Sequence, residues 1–387
     1  MRITNGMMIN NLARNITGNL TRMDSLQNQM STARRFANIS DDPVALIYGQ
    51  SARNMMGRIS NFLSSVQTAQ DWLEQAEDGI MDMQRTMADL YLEVINATDD
   101  GKGSGESSSR ANIAPVVGQL RDGIVDNLNV TLGNRFMFGG HNTPGDPADP
   151  NIINDRAIRP FSVENGRLHF NGFDISRFDG MPAAVFDEIF NRGEPPFTTT
   201  GIQDAFDAFN TQHGTSHAPA DFGLDNTDVA DAMHRLMNDT PTLIVGPGVE
   251  MPITMNGISL ALFITPGPDG NAVMRNSWDV ANDFYEALSA SPPAMAEELE
   301  SFIRPFQDAQ SHLLTRTAEI GGRMRRLEML EARFEQNMIN HERMRSEAED
   351  VDMAETLMHF RMAEAVYQAA LSAGARVIQP TLMDFLR

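Results

Sequence analysis

Twelve apolar side chains follow one another at alternating spacings of four and three residues: Met55, Ile59, Phe62, Val66, Ala69, Leu73, Ala76, Ile80, Met83, Met87, Leu90 and Val94. A repeat of 3.5 residues holds one narrow stripe against one partner, the mark of a coiled-coil seam, whereas a strand would alternate every second residue. A helix from Pro43 to about Ala97 would be on the order of 80 Å long at about 1.5 Å per residue, against a globular mean of roughly 11 to 12 residues. Such a helix cannot bury its own stripe. The chain must therefore supply equally long partners, which restricts it to paired helices and excludes most globular folds.

The same spacing opens the chain, at Ile9, Leu12, Ile16, Asn19, Met23, Leu26, Met30, Ala33 and Ala37. Asn19 is the polar member. A single amide in a seam can fix register, or Leu20 can take over the contact. In "SDDPVAL", Pro43 disfavours helical dihedrals at Asp42 and suits a first helical position, while the Asp42 side chain can cap the amides that follow. A long helix starts there. The Gly- and Ser-rich "DDGKGSGESSSR" breaks it, and its Gly101, Gly103 and Gly105 lack the strand and the Gly-Lys-Ser/Thr of a phosphate-binding loop. A return helix is expected over about 108–132.

Near the other end, Met295, Leu299, Phe302, Phe306, Ala309 and Leu313 restore the seam, with Gly321-Gly322 expected to interrupt its phase. A last helix over roughly 350–378 carries Met353, Leu357, Phe360, Tyr367, Leu371 and Ile378 on one stripe, where Glu364 and Gly374 fit poorly. A second stripe holds Ala354, Met358, Met362, Val366 and Ala370. One partner helix covers one narrow seam, so the second stripe needs another cover, which neighbouring copies of the chain can supply.

Between His141 and Gly270 the texture changes: 13 of the 19 prolines fall here and the helical period fades. This reads as an inserted domain of mixed α and β structure. Asn165-Gly166 in "FSVENGRLHF" and Asn256-Gly257 in "VEMPITMNGISLALFI" both predict tight β-hairpins. Short helices are expected at "IQDAFDAF" and "NTDVADAMHRLM".

The net charge of −22 repels nucleic acid and anionic lipid, and the basic residues, all arginine except Lys102, do not cluster. Cysteine is absent, which removes disulfides and thiolate chemistry. No apolar run approaches the roughly 20 residues of a membrane span. The opening MRITNGMMINNLARN lacks the basic and apolar blocks of a secretory signal peptide. His213 and His217 have the spacing of a helical zinc pair, yet "HGTSH" holds Gly214 and no glutamate, and the aspartates of "GDPADPNIIND" miss the calcium-loop spacing. No catalytic residue, cofactor or metal site is expected.

The opening MRITNGMM, the Asp41-Asp42-Pro43 junction, "NRFMFGG" with Phe138, Gly139 and Gly140, "AEIGGRMRRLE", "SEAEDVDMAETL" and the final "QPTLMDFLR" together resemble the flagellin family, and within it the proteins of the hook–filament junction. The chain departs from the family where "STARRFANIS" precedes the paired aspartates. The resemblance implies a mainly α, discontinuous coiled-coil rod with an inserted outer domain. It implies an innermost terminal coiled coil (1–40 with 350–387), a long-helix bundle (41–140 with 275–349), and the insert (141–274). It implies a structural role in the flagellum without enzymatic activity, export through the flagellar type III apparatus, and extracellular polymerisation. Expected partners are neighbouring subunits, an adjoining hook-associated protein, flagellin, and an export chaperone on the C-terminal helix, with neither nucleic acid nor membrane. The alternatives are flagellin itself, or a secreted adhesin or hydrolase displaying the insert.

Overall fold

The computed structural model describes residues 5–36, 41–98, 107–133, 135–140, 159–192, 195, 197–290 and 294–378. The expected turn at Gly101–Gly105, the aspartates of 141–158, Asn134, Ala37 and the final "QPTLMDFLR" lie outside these residues, as does the side chain of Ile378.

Helices dominate: α1 (Asn5–Thr32), α2 (Pro43–Thr98), α3 (Ser107–Leu128), the short α4 (Ala183–Phe186), α5 (Thr199–His213), α6 (Thr227–Met237), α7 (Gly257–Ala261), α8 (Ser277–Ser289), α9 (Ala296–Glu300), α10 (Ile303–Glu349) and α11 (Met353–Ile378). The strands are short: β1 (Thr131–Leu132), β2 (Arg135–Phe136), β3 (Phe161–Glu164), β4 (Arg167–Phe170), β5 (Phe173–Asp174), β6 (Thr242–Gly246), β7 (Val249–Pro252), β8 (Leu262–Pro266) and β9 (Ala272–Asn276). All pairings among them are antiparallel, in small separate sheets β1-β2, β3-β4-β5, β6-β7 and β8-β9. The fold is mainly α with a mixed α and β insert. By contact the chain divides into two units, Met1–Phe62 with Ala332–Arg387, and Leu63–Glu331.

In the unit 63–331, α2 delivers its seam: each expected position from Val66 to Val94 is buried. Small Ala69 and Ala76 alternate there with Leu73 and Ile80, a pattern that lets facing side chains interdigitate. The helix α10 runs antiparallel to it, as the side-chain bonds Gln70 to Glu331 (2.8 Å), Gln84 to Thr317 (2.8 Å) and Gln307 to Tyr91 (3.2 Å) show. The seam of α10 keeps its phase through Gly321-Gly322: Leu313, Ile320 and Leu327 are all buried at seven-residue intervals, and the helix continues unbroken. Two glycines cost a helix about 1 kcal/mol each relative to alanine, less than the burial of the flanking seam supplies. Met295, expected to open this seam, is exposed. Asn127 of α3 donates to Thr86 of α2 (3.0 Å), and α8 packs along α3, where Arg121 bonds Asn282 (2.9 Å) and lies over the Trp278 and Tyr285 rings. The helix α3 stops at Leu128, four residues short of expectation, because β1 and β2 form a hairpin directly after it.

In the insert, Asn165 (φ 55°) and Gly166 (φ 73°) are both left-handed and close the predicted β3-β4 hairpin, pairing Glu164 with Arg167 and Phe161 with Phe170. A second such turn at Asn171-Gly172 (φ 50° and 79°) leads into β5. The hairpin expected at Asn256-Gly257 is not there. Asn256 caps α7 instead: its Oδ1 accepts from Ile258 N (2.8 Å), and its amide donates to the Leu236 and Asp239 carbonyls. Gly257 is required for close approach, since a Cβ there would stand 2.5 Å from the Phe161 ring. The true hairpins nearby are β6-β7, turning at Gly248 (φ 68°), and β8-β9, turning at Gly270 (φ 75°). The helices α5 and α6 lie where the sequence predicts them. His213 ends α5 and stacks on Phe209 (4.4 Å), while His217 sits beyond Gly214 in a loop whose backbone is tied to Asn210.

Candidate assembly interface

Within the unit formed by 1–62 and 332–387, α1 and α11 lie antiparallel. At one end Leu12 meets Gly374; at the other, Arg34 bridges Asp350 and Val351 N donates to the Ala33 carbonyl (3.1 Å). Ala33 has left the helix (φ 55°), so the α1 seam ends before it. Carried residue for residue from the Leu12–Gly374 contact alone, the antiparallel register sets Ile16 level with Ala370, Asn19 with Tyr367, Met23 with Ala363, Leu26 with Phe360, and Met30 with Thr356. On α1 the expected positions Leu12, Ile16, Asn19, Met23, Leu26 and Met30 are half-buried, with Gln29 beside them; Ile9 and Leu20 are exposed, so Asn19 stays in the stripe.

On α11 the covered stripe differs from the one that aliphatic spacing suggests. Thr356, Ala363 and Gly374 are buried, with Phe360, Tyr367 and Ala370 half-buried between them. Met353, Leu357 and Leu371, placed on the seam by sequence, are exposed along its edge, and Met358, Met362 and Val366 are exposed on the far side. Small residues decide this. A helix approaches most closely where its partner presents Ala and Gly, and that close approach squeezes out the larger Leu and Met. On α11 Arg361 pairs with Glu364 (3.1 Å) and His359 lies 3.4 Å from Glu355, while the Met358–Met362–Val366 stripe is apolar; Met362 is 57% exposed.

A Cβ at Gly374 would lie 2.6 Å from the Leu12 Cδ2 atom. A small shift of the Leu12 tip accommodates Gly374→Ala, which also gains helix propensity, whereas Gly374→Leu overfills the seam. The expected result is an alanine variant at least as stable as the parent and a leucine variant weakened by about 1–3 kcal/mol, read from circular dichroism melts.

The junction beyond α1 and α11 is closely knit. Asp42 caps α2, with Oδ1 accepting from Ala45 N (3.0 Å) and Pro43 as first helical residue, and its carboxylate lies 3.7 Å from Arg35. Asp41 is exposed beside it. Arg35 N donates to the Glu349 carbonyl (2.7 Å). The Glu349 carboxylate is buried against Gly49 and lies 2.9 Å from Arg53, an ion pair by proximity rather than an aligned hydrogen bond. Sequence reading did not single out Glu349 or Arg53. Their sign was Gly49, a glycine on α2 seven residues after Asp42, where the Glu349 side chain at the end of α10 comes close. In the other unit, buried Phe138 lies against Gly79 of α2, the Gly139 carbonyl accepts from Asn171 (3.3 Å), and Gly140 (φ 68°) approaches Asp239.

Among the described residues no helix is long and apolar enough to cross a membrane, and no group of His, Cys, Asp or Glu is arranged to hold a metal ion. The described residues thus hold long paired helices, an α/β insert, and a last helix, α11, whose apolar side chains extend beyond its contact with α1. The chain is 21% identical over 381 residues to flagellar hook-associated protein 3 of Escherichia coli strain K12, a match spanning 96% of each. It is 27% identical over 150 residues to the protein of the same name from Salmonella typhimurium strain LT2, across 38% of this chain and 46% of that one. No protein-family model matches the chain. Two solved structures share the fold: a flagellar hook-associated protein from Vibrio parahaemolyticus (TM-score 0.53, 14% identity, 80% of this chain and 100% of that one) and FlgL from Xanthomonas campestris (TM-score 0.50, 13% identity, 76% and 99%). The chain is a relative of flagellar hook-associated protein 3.

Proposed function

We propose that the protein is a structural subunit of the bacterial flagellum that polymerises in the zone joining hook to filament, without enzymatic activity of its own. The observation that carries this reading is the end-to-end likeness to the Escherichia coli hook-associated protein, 96% of both chains. The uncovered apolar faces of α11 support it physically. Such a face left in water favours non-specific association, and burial of several hundred Å² at about 25 cal/mol per Å² offsets the ordering of the residues involved.

Neighbouring copies cover the Met358–Met362–Val366 stripe in the assembly, with an adjoining hook-associated protein and flagellin at the two ends of the zone. Before assembly, export proceeds through the flagellar type III apparatus, and a chaperone shields the same helix. A strain lacking the gene is expected to show bare hooks by electron microscopy and flagellin released into the medium; stable filaments in that strain would overturn the reading.

Met362→Asp tests the surface itself. The side chain is exposed in the single chain, so the substitution changes subunit stability by no more than about 0.5 kcal/mol. Buried at a subunit contact, an unpaired carboxylate costs several kcal/mol, so polymerisation measured by sedimentation should fall at least tenfold while far-ultraviolet circular dichroism is unchanged. Loss of helix in the isolated subunit would place Met362 within the monomer's own packing instead.

A further inference from the structure

Three carboxylates and one guanidinium meet where the insert's last strand enters α8. Arg275 of β9 bonds Asp179 (2.8 Å) and Asp283 (2.7 Å), and Asp179 also accepts from the Asn276 backbone (3.0 Å). Asp279, one turn before Asp283 on α8, accepts from the Ser176 hydroxyl (2.8 Å), and that hydroxyl in turn accepts from Leu168 N (2.8 Å). The other Asp279 oxygen is buried and takes no hydrogen bond among the described residues. If all three acids are ionised, Arg275 offsets one charge and Asp279 is left without a cation.

The surrounding groups do not supply one. The turn at 176–179 contributes Ser176 and Asp179, and its Arg177 is turned to the Phe173 ring. From α8 itself come Asp283 and Glu286. Arg121 of α3 is engaged by Asn282, Asp122 and the Trp278 and Tyr285 rings, and Arg167 of β4 by Asp174. A cavity of about 450 Å³ is lined by Asp179 and Arg275, with Asp269 and His217 also on its wall.

We propose that this cluster is a proton-operated clasp, which ties the 176–179 turn, β9 and α8 together while Asp279 carries a proton and loosens the root of the insert when Asp279 is ionised. Burial, and then the neighbouring Asp179 carboxylate, push the Asp279 carboxyl up to about 7 from an ordinary 3.8; burial also raises Asp179 and Asp283, against the pull of Arg275. An acid whose folded value is raised disfavours the folded form increasingly as pH climbs from the unfolded value to the folded one, and by a constant amount above it. The clasp therefore tightens as pH falls from about 7 toward 4, opposite to the ordinary paired carboxylate.

Hydrogen exchange of the full chain, read by mass spectrometry and corrected for intrinsic rate, tests this. Between pH 5.5 and 8.5, peptides covering 172–180 and 272–285 should lose protection on the order of tenfold, while α2 peptides over 66–94 hold constant. In Asp279→Asn, a neutral side chain of the same shape, the loss should be abolished. Equal protection of the wild-type peptides at both pH values overturns the proposal, as does an unchanged pH response in the variant. Should that variant fail to fold, a carbon NMR titration of wild-type aspartate carboxyls decides: one midpoint near neutral supports the clasp, and all midpoints below about 5 refute it.

Discussion

Phe138→Ala is expected to lower the stability of the unit 63–331 by about 3–5 kcal/mol, the range for deleting a buried aromatic ring whose site cannot collapse. The site is held open from several directions. The ring lies on Gly79 of α2, where an added Cβ would sit 3.1 Å from Phe138 Cε2, and the Phe138 carbonyl accepts from Gly257 N (3.1 Å) at the start of α7. On the preceding residue, Met137 N donates to the Val130 carbonyl (2.9 Å), and the Met137 carbonyl accepts from the buried Thr254 hydroxyl. Thr254 is tied in turn to α10, through its carbonyl and Arg323 (2.9 Å). Removing the ring leaves a void between segments that these bonds prevent from closing. Both tryptophans, Trp72 and Trp278, belong to this unit, so urea unfolding followed by their fluorescence isolates the effect. A loss below about 1 kcal/mol would mean that α2 and the insert close over the gap and that Phe138 is not a wedge.

That wedge sits in a stretch the sequence marked only by resemblance, whereas the long helices could be read from periodicity alone. The α2 stripe was legible because apolar residues recur at the coiled-coil spacing without a break from Met55 to Val94, even though others such as Met81 and Leu92 lie exposed off it. The helix α10 was harder: Gly321-Gly322 has the local chemistry of a break, yet Leu313, Ile320, Leu327 and Phe334 stay in phase across it. Packing along the whole seam outweighs two unfavourable propensities. The insert shows the limit of local signals. The same dipeptide, Asn-Gly, makes a hairpin turn at 165–166 and a helix cap at 256–257. What differs is tertiary: Asn256 finds two carbonyls from the end of α6 and beyond, and Gly257 is pressed by Phe161.

The terminal pair was legible as a pair but not in its rotation. An α11 that is apolar on several faces contains more than one stripe at the same period, and hydrophobicity ranks Leu357 and Leu371 above Thr356, Ala363 and Gly374. Closeness of approach ranks them the other way. The usable signal was the seven-residue recurrence of small side chains at 356, 363 and 370, with Phe360 and Tyr367 between them. The two faces thus divide by size: small residues toward α1, and flexible Met and branched Val outward, where adaptable side chains suit a contact made with another molecule.

Arg53→Ala should weaken the unit formed by 1–62 and 332–387 by about 3 kcal/mol, at the lower end for breaking a buried ion pair because Arg53 itself is half-exposed. The Glu349 carboxylate cannot move to water. It is enclosed beside Gly49, where an added Cβ would fall 2.1 Å from Oε1, and the Glu349 carbonyl is bound by Arg35 N. Deleting the cation therefore leaves a buried charge with no partner, whereas adding Glu349→Gln to the same variant removes that charge and should recover more than half of the loss. The pair stands where the α1–α2 and α10–α11 turns cross, next to the Arg34–Asp350 bridge, so its failure should first free the register of α1 against α11. Thermal melts followed by circular dichroism should show an early loss of helix in Arg53→Ala, with the tryptophan transition of the other unit unchanged. A single-variant effect under about 0.5 kcal/mol, or a double variant no better than the single, would show that the carboxylate is reached by solvent and that the crossing is held by its backbone bonds alone.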